Sequence, residues 1–491
     1  IYSTQSYIFF CYNQGMKENN IETSDKIYAP LVDAMTIAYK NPTYQFHIPG
    51  HTKGQGVYKK FKDLVGERIL ELDTTDEFDN LGTLHPATGP IKEAEKLAAE
   101  AFGAKSSFFL LNGSTIGNQA LAMTISKKGQ KVIVNRNCHR SILTGLIMSG
   151  AEPCWVIPQK IDDWAIWGKI TPECIEKALS ENDNVACVWI TNPTYEGVVS
   201  DISAISIVCK KYNVPLIVDE AHGCLWSFSS ELPKPALQLG ADAVVHSLHK
   251  TGGSMSQTSM LHVAKDSLID VEILKRTLKL LHTTSPSLLL LTSLDAARAN
   301  LQSEEGKLQI QRAIKNAEYL KSEIDEMRNV EYLDLPNLDL TKIFIRVKGL
   351  SGKSLEMILE HDYNIEVESA SDIGILILSN LGNDSSDFEY LVDCLKEIDS
   401  TDYTEHPIID KKKHMPMLVP QIKMRLRDAY FAPKELINKY DAIGRISAEV
   451  VAECPPGIAI LLPGELITKE HLPYLKDYKE IEVIKRYIEY K

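Results

Sequence analysis

An α/β fold with a mostly parallel sheet, extended by a smaller α+β domain and a C-terminal domain, is what this sequence predicts. Three observations carry that expectation. From about residue 92, short apolar runs alternate with helical patterns; after about residue 290 that rhythm changes; and Asp410-Lys411-Lys412-Lys413-His414, with prolines around it, reads as a linker. Strands that are apolar throughout and separated by helices suit a parallel sheet covered on both faces.

The elements follow in order. Residues 92–102 set Ala94, Leu97, Ala98 and Ala101 on one helical face. Strand-length apolar runs come at 107–111, 131–134, 185–191, 214–218 and 241–245. Residues 201–212 read as a helix, with Asp201 placed to cap it and Ile205, Val208 and Tyr212 on one side. Beyond 290 the pattern predicts one long helix over about 293–327, a strand at 342–347, a further helix and a strand at 373–378. The expected domains are 16–290 (an N-terminal arm and the large domain), 291–409 (the small α+β domain) and 410–491 (the C-terminal domain). Met16 reads as a natural start, so residues 1–15 are expected to be upstream sequence.

Bulk properties narrow the function classes. A chain of 491 residues needs more than one core, and 44% hydrophobic with 24% charged residues is ordinary for a globular protein. A formal charge of −13 argues against non-specific nucleic-acid binding and against docking on an anionic membrane. Nine cysteines without a C-x-x-C pair or a Cys/His cluster at zinc spacing point to a reduced, cytoplasmic interior and to no metal. Nothing reaches the length of a membrane-spanning helix, and the apolar patch at residues 8–11 has no signal-peptide architecture around it.

The chemistry is concentrated at strand ends. One apolar strand ends in Asp219-Glu220-Ala221-His222-Gly223, and the next leads into His246-Ser247-Leu248-His249-Lys250. An acid after one strand and a lysine after the next is what pyridoxal phosphate (PLP) needs: the amine condenses with the aldehyde, and the carboxylate keeps the ring nitrogen protonated. Asn112-Gly113-Ser114-Thr115 follows a strand and opens a helix, where amides and hydroxyls can cradle a phosphate; alone it would read equally as a capped helix start. His139, also just past a strand, can stack on a cofactor ring or be purely structural. Ser247 can bind phosphate and His249 can meet ring or phosphate. Thr284 and Ser285, in a polar turn before Pro286, either mark a helix boundary or complete a neighbouring chain's phosphate site.

Several blocks occur together: 46–54 (Phe-His-Ile-Pro-Gly-His-Thr-Lys-Gly), Leu84-His85-Pro86 with Gly89-Pro90-Ile91, Asn137-Cys138-His139, Thr191-Asn192-Pro193-Thr194-Tyr195-Glu196-Gly197, the run ending at Lys250-Thr251, Pro455-Pro456-Gly457-Ile458, and Leu462-Pro463-Gly464-Glu465. From about residue 27 to the end the chain thereby resembles the PLP-dependent ornithine/lysine/arginine decarboxylases of bacteria, in the short form without an N-terminal wing domain, and most of all arginine decarboxylase. The resemblance implies fold type I, the aspartate-aminotransferase-like fold, as a homodimer or higher homo-oligomer with the active site at the subunit interface. It implies Lys250 as the Schiff-base lysine, Asp219 as the ring-nitrogen partner and His139 as the stacking histidine. Ser114, Thr115 and Ser247 would hold the phosphate, Ala221 would pack on the ring with His222 nearby, and Gly113 and Thr194 belong to the same cofactor set.

One departure bears on the substrate. Where the family commonly has a tyrosine before Pro-Pro-Gly, this chain has Ala452-Glu453-Cys454. An added carboxylate suits a guanidinium or ammonium group, and a surface change without consequence is the plain alternative. Glu453, Cys454 and Glu465 are the candidates for the substrate's far end. The expected reaction is α-decarboxylation of a basic amino acid, ranked arginine, lysine, ornithine, with Lys250 or His249 returning a proton to Cα. An aminotransferase or lyase on the same fold would use the same lysine and aspartate and would need an arginine for the α-carboxylate, for which Arg346 is the candidate. A non-catalytic partner of a decarboxylase is the remaining alternative, and the intact lysine, aspartate and phosphate-site residues argue against it.

Overall fold

The computed structural model describes residues 27–40, 43–76, 80–401, 403, 420–453 and 458–486. Residues 1–15, the 410–414 stretch and Cys454 lie outside the described residues, and so does the side chain of Glu453.

Seven strands form the central sheet: β1 (Ser106–Leu110), β2 (Lys131–Asn135), β3 (Glu152–Val156), β4 (Val185–Thr191), β5 (Leu216–Asp219), β6 (Ala243–His246) and β7 (Ser259–Val263), in the spatial order β1-β7-β6-β5-β4-β2-β3. Strand β7 runs antiparallel to both of its neighbours, and every other pairing in the sheet is parallel. The expected mostly parallel α/β sheet is therefore present. The strands β3 and β7 had no clear apolar signal: β3 opens with Glu152-Pro153 and β7 carries Ser259 and His262.

Alternation along each buried strand explains the continuous apolar runs. Val132, Val134, Trp189, Ile217 and Val245 pack on one face, against helices α3 (Gly113–Ile125) and α4 (Arg140–Ser149). Ile133, Val188, Ile190, Val218 and Val244 pack on the other face with Ile202, Ile205 and Cys209. Two helices that precede β1, α1 (Pro30–Lys40) and α2 (Gly89–Ala101), join a further core with Phe109 and Met260. At roughly 1.5–3 kcal/mol for each fully buried aliphatic side chain, both faces must be covered for such strands to be stable.

This topology fixes the location of the site. Strands β2, β4, β5 and β6 run in one direction, and β1 shares it because both β1 and β6 oppose β7. Their carboxyl ends therefore lie on one edge, where ligands bind in open α/β sheets. The segments leaving that edge are 111–115, 136–139, 192–196, 220–222 and 247–250.

After this sheet the chain builds a second, four-stranded antiparallel sheet from β8 (Val330–Tyr332), β9 (Lys342–Val347), β10 (Ser369–Ala370) and β11 (Ile375–Leu378), in the order β8-β9-β11-β10. The single long helix expected over 293–327 is instead two, Leu288–Gln302 and Glu304–Ile324. Ser303 breaks it by ending the first and capping the second, its hydroxyl accepting from the Gly306 N–H at 2.9 Å. The C-terminal residues form two-stranded pairs around a core that includes Val451, Leu461, Ile467 and Val483. No described helix is long and apolar enough to cross a membrane.

Candidate active site

A cavity of about 320 Å³ opens at the carboxyl edge of the sheet, and all five segments leaving that edge line it. Gly113, Ser114, Thr115, His139, Thr194, Asp219, Ala221, His222, Ser247, His249 and Lys250 are all brought together there. Helix α3 aims its amino end at the cavity, so its first N–H groups have no helical acceptor and carry the positive end of the dipole. Gly113 takes a φ of 62°, which favours glycine, and its own N–H is committed to the Gln257 carbonyl at 2.8 Å. The Ser114 and Ser247 hydroxyls are hydrogen-bonded to each other, and Ser114 also reaches the Ser259 hydroxyl at 3.3 Å.

Asp219 is held in place rather than merely nearby. Asn118 donates to its Oδ2 at 3.0 Å, and the Ala221 N–H donates to Oδ1 at 3.3 Å. The same Asn118 amide donates to Ser141 Oγ at 2.9 Å, so the Ser141 hydroxyl is left to donate to His139 Nδ1 at 2.8 Å. Since Nδ1 also accepts the Ser141 N–H, a neutral His139 carries its proton on Nε2. Burial lowers the His139 pKa, with the Asp219 charge opposing and Lys250 assisting.

Lys250 Nζ lies 2.9 Å from His222 Nε2. Burial pushes the lysine below its ordinary value, against the pull of Asp219 and Glu368. His222 is itself pushed well down, first by burial and then by the Lys342 and Lys250 charges. His249 donates from Nδ1 to the Thr258 carbonyl at 2.6 Å, and burial lowers its pKa as well. A lysine amine, a fixed carboxylate and a helix start rich in hydroxyls thus face one cavity, the donor set that PLP requires.

Other expected residues lie elsewhere. Glu465 is not at the cavity: it is buried at 2% exposure, ion-paired with Arg136 at 3.1 Å and accepting the Leu462 N–H at 2.8 Å. A carboxylate already engaged by a buried guanidinium is not free to take a substrate's cation. Thr284 and Ser285 are exposed in the turn after helix Val271–Leu281 and do not line this chain's cavity. Arg346 is no carboxylate clamp either. It pairs with Glu331 at 2.5 Å, donates to the Asp163 carbonyl at 2.7 Å and sits 4.1 Å over the Trp164 ring.

The sequence reading missed several residues. Asn118 and Ser141 were legible only as polar residues on otherwise apolar helix faces. Tyr195 and Glu196 belong to a recognised block from which only Thr194 was carried forward, and both line the cavity. Gln257 lines it as well, with a φ of 78° and its side chain donating to the Leu111 carbonyl at 2.7 Å. Ile458 reaches the cavity from the C-terminal part of the chain and pairs with the His139 backbone. Lys342, 2% exposed on β9, gave no signal beyond a lysine at the start of a strand.

Comparison with known proteins agrees with this geometry. A family model for the Orn/Lys/Arg decarboxylase major domain matches residues 29–344, and one for the Orn/Lys/Arg decarboxylase C-terminal domain matches residues 411–484. The chain is 37% identical over 463 residues to an arginine decarboxylase of Bacillus anthracis, covering 91% of this chain and 92% of that protein. It is also 37% identical over 457 residues to an arginine decarboxylase of Bacillus subtilis (strain 168), with the same coverage. Among solved structures, the constitutive lysine decarboxylase of E. coli superposes with a TM-score of 0.80 at 22% identity, over 94% of this chain and 82% of that one. The chain belongs to the Orn/Lys/Arg decarboxylase family.

Proposed function

We propose that this protein is a PLP-dependent α-decarboxylase of a basic amino acid, with L-arginine as substrate and agmatine and CO₂ as products. One observation carries the reading: Lys250, Asp219 and the amino end of α3 face a single cavity. When bound, PLP supplies an aldehyde for amines and a protonated ring that accepts the electrons of the Cα–carboxylate bond.

The protein's own groups do the rest. Lys250 would hold the cofactor through its side-chain amine. Asp219, braced by Asn118 and the Ala221 N–H, would keep the cofactor's ring nitrogen protonated, an electrostatic stabilisation worth several kcal/mol where charge develops. Ser114, Thr115 and Ser247 would hold the phosphate at the positive end of the helix. His139 would lie against the cofactor ring, with Ala221 and His222 beside it. Lys250 or His249 returns a proton to Cα. Among the described residues, Asp219 and Glu196 are the carboxylates that line the cavity. With Asp219 engaged, Glu196 takes the role first expected of Glu465, meeting the substrate's cation.

Arginine ranks ahead of lysine and ornithine because the relatives at 37% identity carry the name arginine decarboxylase. We further propose a homodimer in which Thr284 and Ser285 serve the partner's phosphate site, which their exposure permits. The seven described cysteines are all free, which supports a reducing, cytoplasmic setting.

Incubation with arginine, lysine and ornithine, reading CO₂ and amine release, tests the reaction; a keto acid in place of the amine overturns it. A visible absorbance band that borohydride abolishes, and that Lys250→Ala lacks, tests the cofactor.

A further inference from the structure

Helix α3 begins at the cavity without the cap that its sequence offers. Asn112 occupies the position before the first turn, where an asparagine side chain ordinarily accepts from the second or third N–H of the helix. Here Asn112 has a φ of −128° and a ψ of 42°, and its side chain makes no such bond. Capping would engage the N–H of Ser114 or Thr115, and both residues line the cavity. Another group must therefore fix the turn.

Gln257 does so from outside the helix. Its side-chain amide donates to the Leu111 carbonyl at 2.7 Å, and its backbone carbonyl accepts the Gly113 N–H at 2.8 Å. One residue thus grips the chain on both sides of Asn112. Leu111 is 4% exposed, so water is a poor replacement for the amide at its carbonyl. Gln257 takes a φ of 78°, which residues other than glycine seldom adopt and which persists only where the surroundings hold it. The neighbouring Thr258 supplies that hold. Its hydroxyl donates to the Met255 carbonyl at 2.5 Å and accepts from Ser254 at 2.6 Å, and its carbonyl accepts from His249 Nδ1 at 2.6 Å.

We propose that Gln257 is a positioning residue that replaces the cap: it fixes the turn at 111–113 and leaves the Ser114 and Thr115 N–H groups to the cofactor's phosphate. The inference rests on the reading of the cavity as a PLP site. Gln257 acts at the phosphate end, because its two hydrogen bonds go to Leu111 and Gly113 and neither goes to Lys250 or Asp219.

The test separates the phosphate from the rest of the cofactor. PLP and pyridoxal, which lacks the phosphate, are titrated into protein stripped of its cofactor, reading the visible band that Lys250→Ala does not give. Gln257→Asn keeps a residue that tolerates positive φ but is too short to reach Leu111, and Gln257→Met keeps the length without the donor. In both, the Kd for PLP is expected to rise about five- to tenfold, the size of one hydrogen bond, while that for pyridoxal stays within about twofold. Inorganic phosphate, as a competitor of PLP, should weaken by the same factor. An unchanged Kd for pyridoxal also shows that the site has folded, and if one variant does not fold the other decides. Equal losses for PLP and pyridoxal in folded protein, or no loss for either, overturn the proposal. Failure of the cofactor reading is separate: wild type would then give no band with either aldehyde.

Discussion

Arg136 and Glu465 face each other at 3.1 Å, 329 residues apart in sequence and both closed off from solvent. Arg136 follows β2 and also donates to the Ile460 carbonyl at 3.2 Å, with its guanidinium 4.8 Å from the Trp155 ring. The pair fastens the C-terminal residues to the sheet edge, close to where Ile458 pairs with His139. Burial pushes the Glu465 carboxyl up to about 7 despite the guanidinium, a sign that desolvation is expensive here. Removing one partner is therefore worse than removing both. Glu465→Leu alone is expected to cost about 3–5 kcal/mol in urea unfolding by stranding the Arg136 charge, and Arg136→Met with Glu465→Leu should recover most of it. Equal losses in the single and double variants would refute this account.

Asp219→Asn keeps the shape and loses the charge. Asn118 and the Ala221 N–H meet different oxygens of Asp219, so one of them keeps the remaining carbonyl oxygen and the other loses its acceptor; the fold and the visible band are expected to persist with a modest loss of stability. The turnover number should fall about 100- to 1000-fold, the range for removing one preorganised electrostatic group. Measuring kcat and the band on the same preparation checks it; unchanged kcat would remove Asp219 from the chemistry.

Glu196→Gln tests the substrate's far end. Burial raises the Glu196 carboxyl pKa, with Lys342 opposing, so a bound guanidinium would draw it toward ionisation. A charge-assisted hydrogen bond is worth about 1.5–3 kcal/mol, so KM for arginine should rise about 10- to 150-fold with a smaller change in kcat. A loss confined to kcat would place Glu196 nearer the reacting carbon than the tail.

The sheet, its carboxyl edge and the lysine–aspartate pair were legible because each left a local mark: a continuous apolar run, or an acid or lysine just past one. Which of these acids lines the cavity was not, because Glu465 and Glu196 sit in equally recognisable blocks and only the three-dimensional path brings Glu196 there. Lys342 was invisible for a different reason. Its partner His222 is 120 residues upstream, and the contact depends on how the second sheet packs against the turn at Gly197. The break at Ser303 left no mark in the sequence because apolar periodicity continues across it, and one serine with extended backbone, capping the second helix, interrupts that pattern.

His85 and His282 supply a prediction in pH. Nε2 of one lies 2.7 Å from Nδ1 of the other, with the rings stacked at 4.7 Å, so one donates and the other accepts, and both are neutral. Burial lowers each pKa to about 4, helped by Lys279 at His85 and by His85 at His282. Between pH 4 and 6.5 the unfolded chain then binds more protons at these rings than the folded one, so stability rises with pH across that window. The pair's share is about 2 kcal/mol, discounted because His85 keeps contact with solvent. Other buried histidines, His222 and His262 among them, slope the same way, so the quantity to measure is a difference. Urea unfolding of wild type and His282→Gln at pH 5 and 7.5 should show the gap between them narrowing at the lower pH. A gap that is constant or widens on acidification would mean that the imidazoles do not share a proton in the folded state.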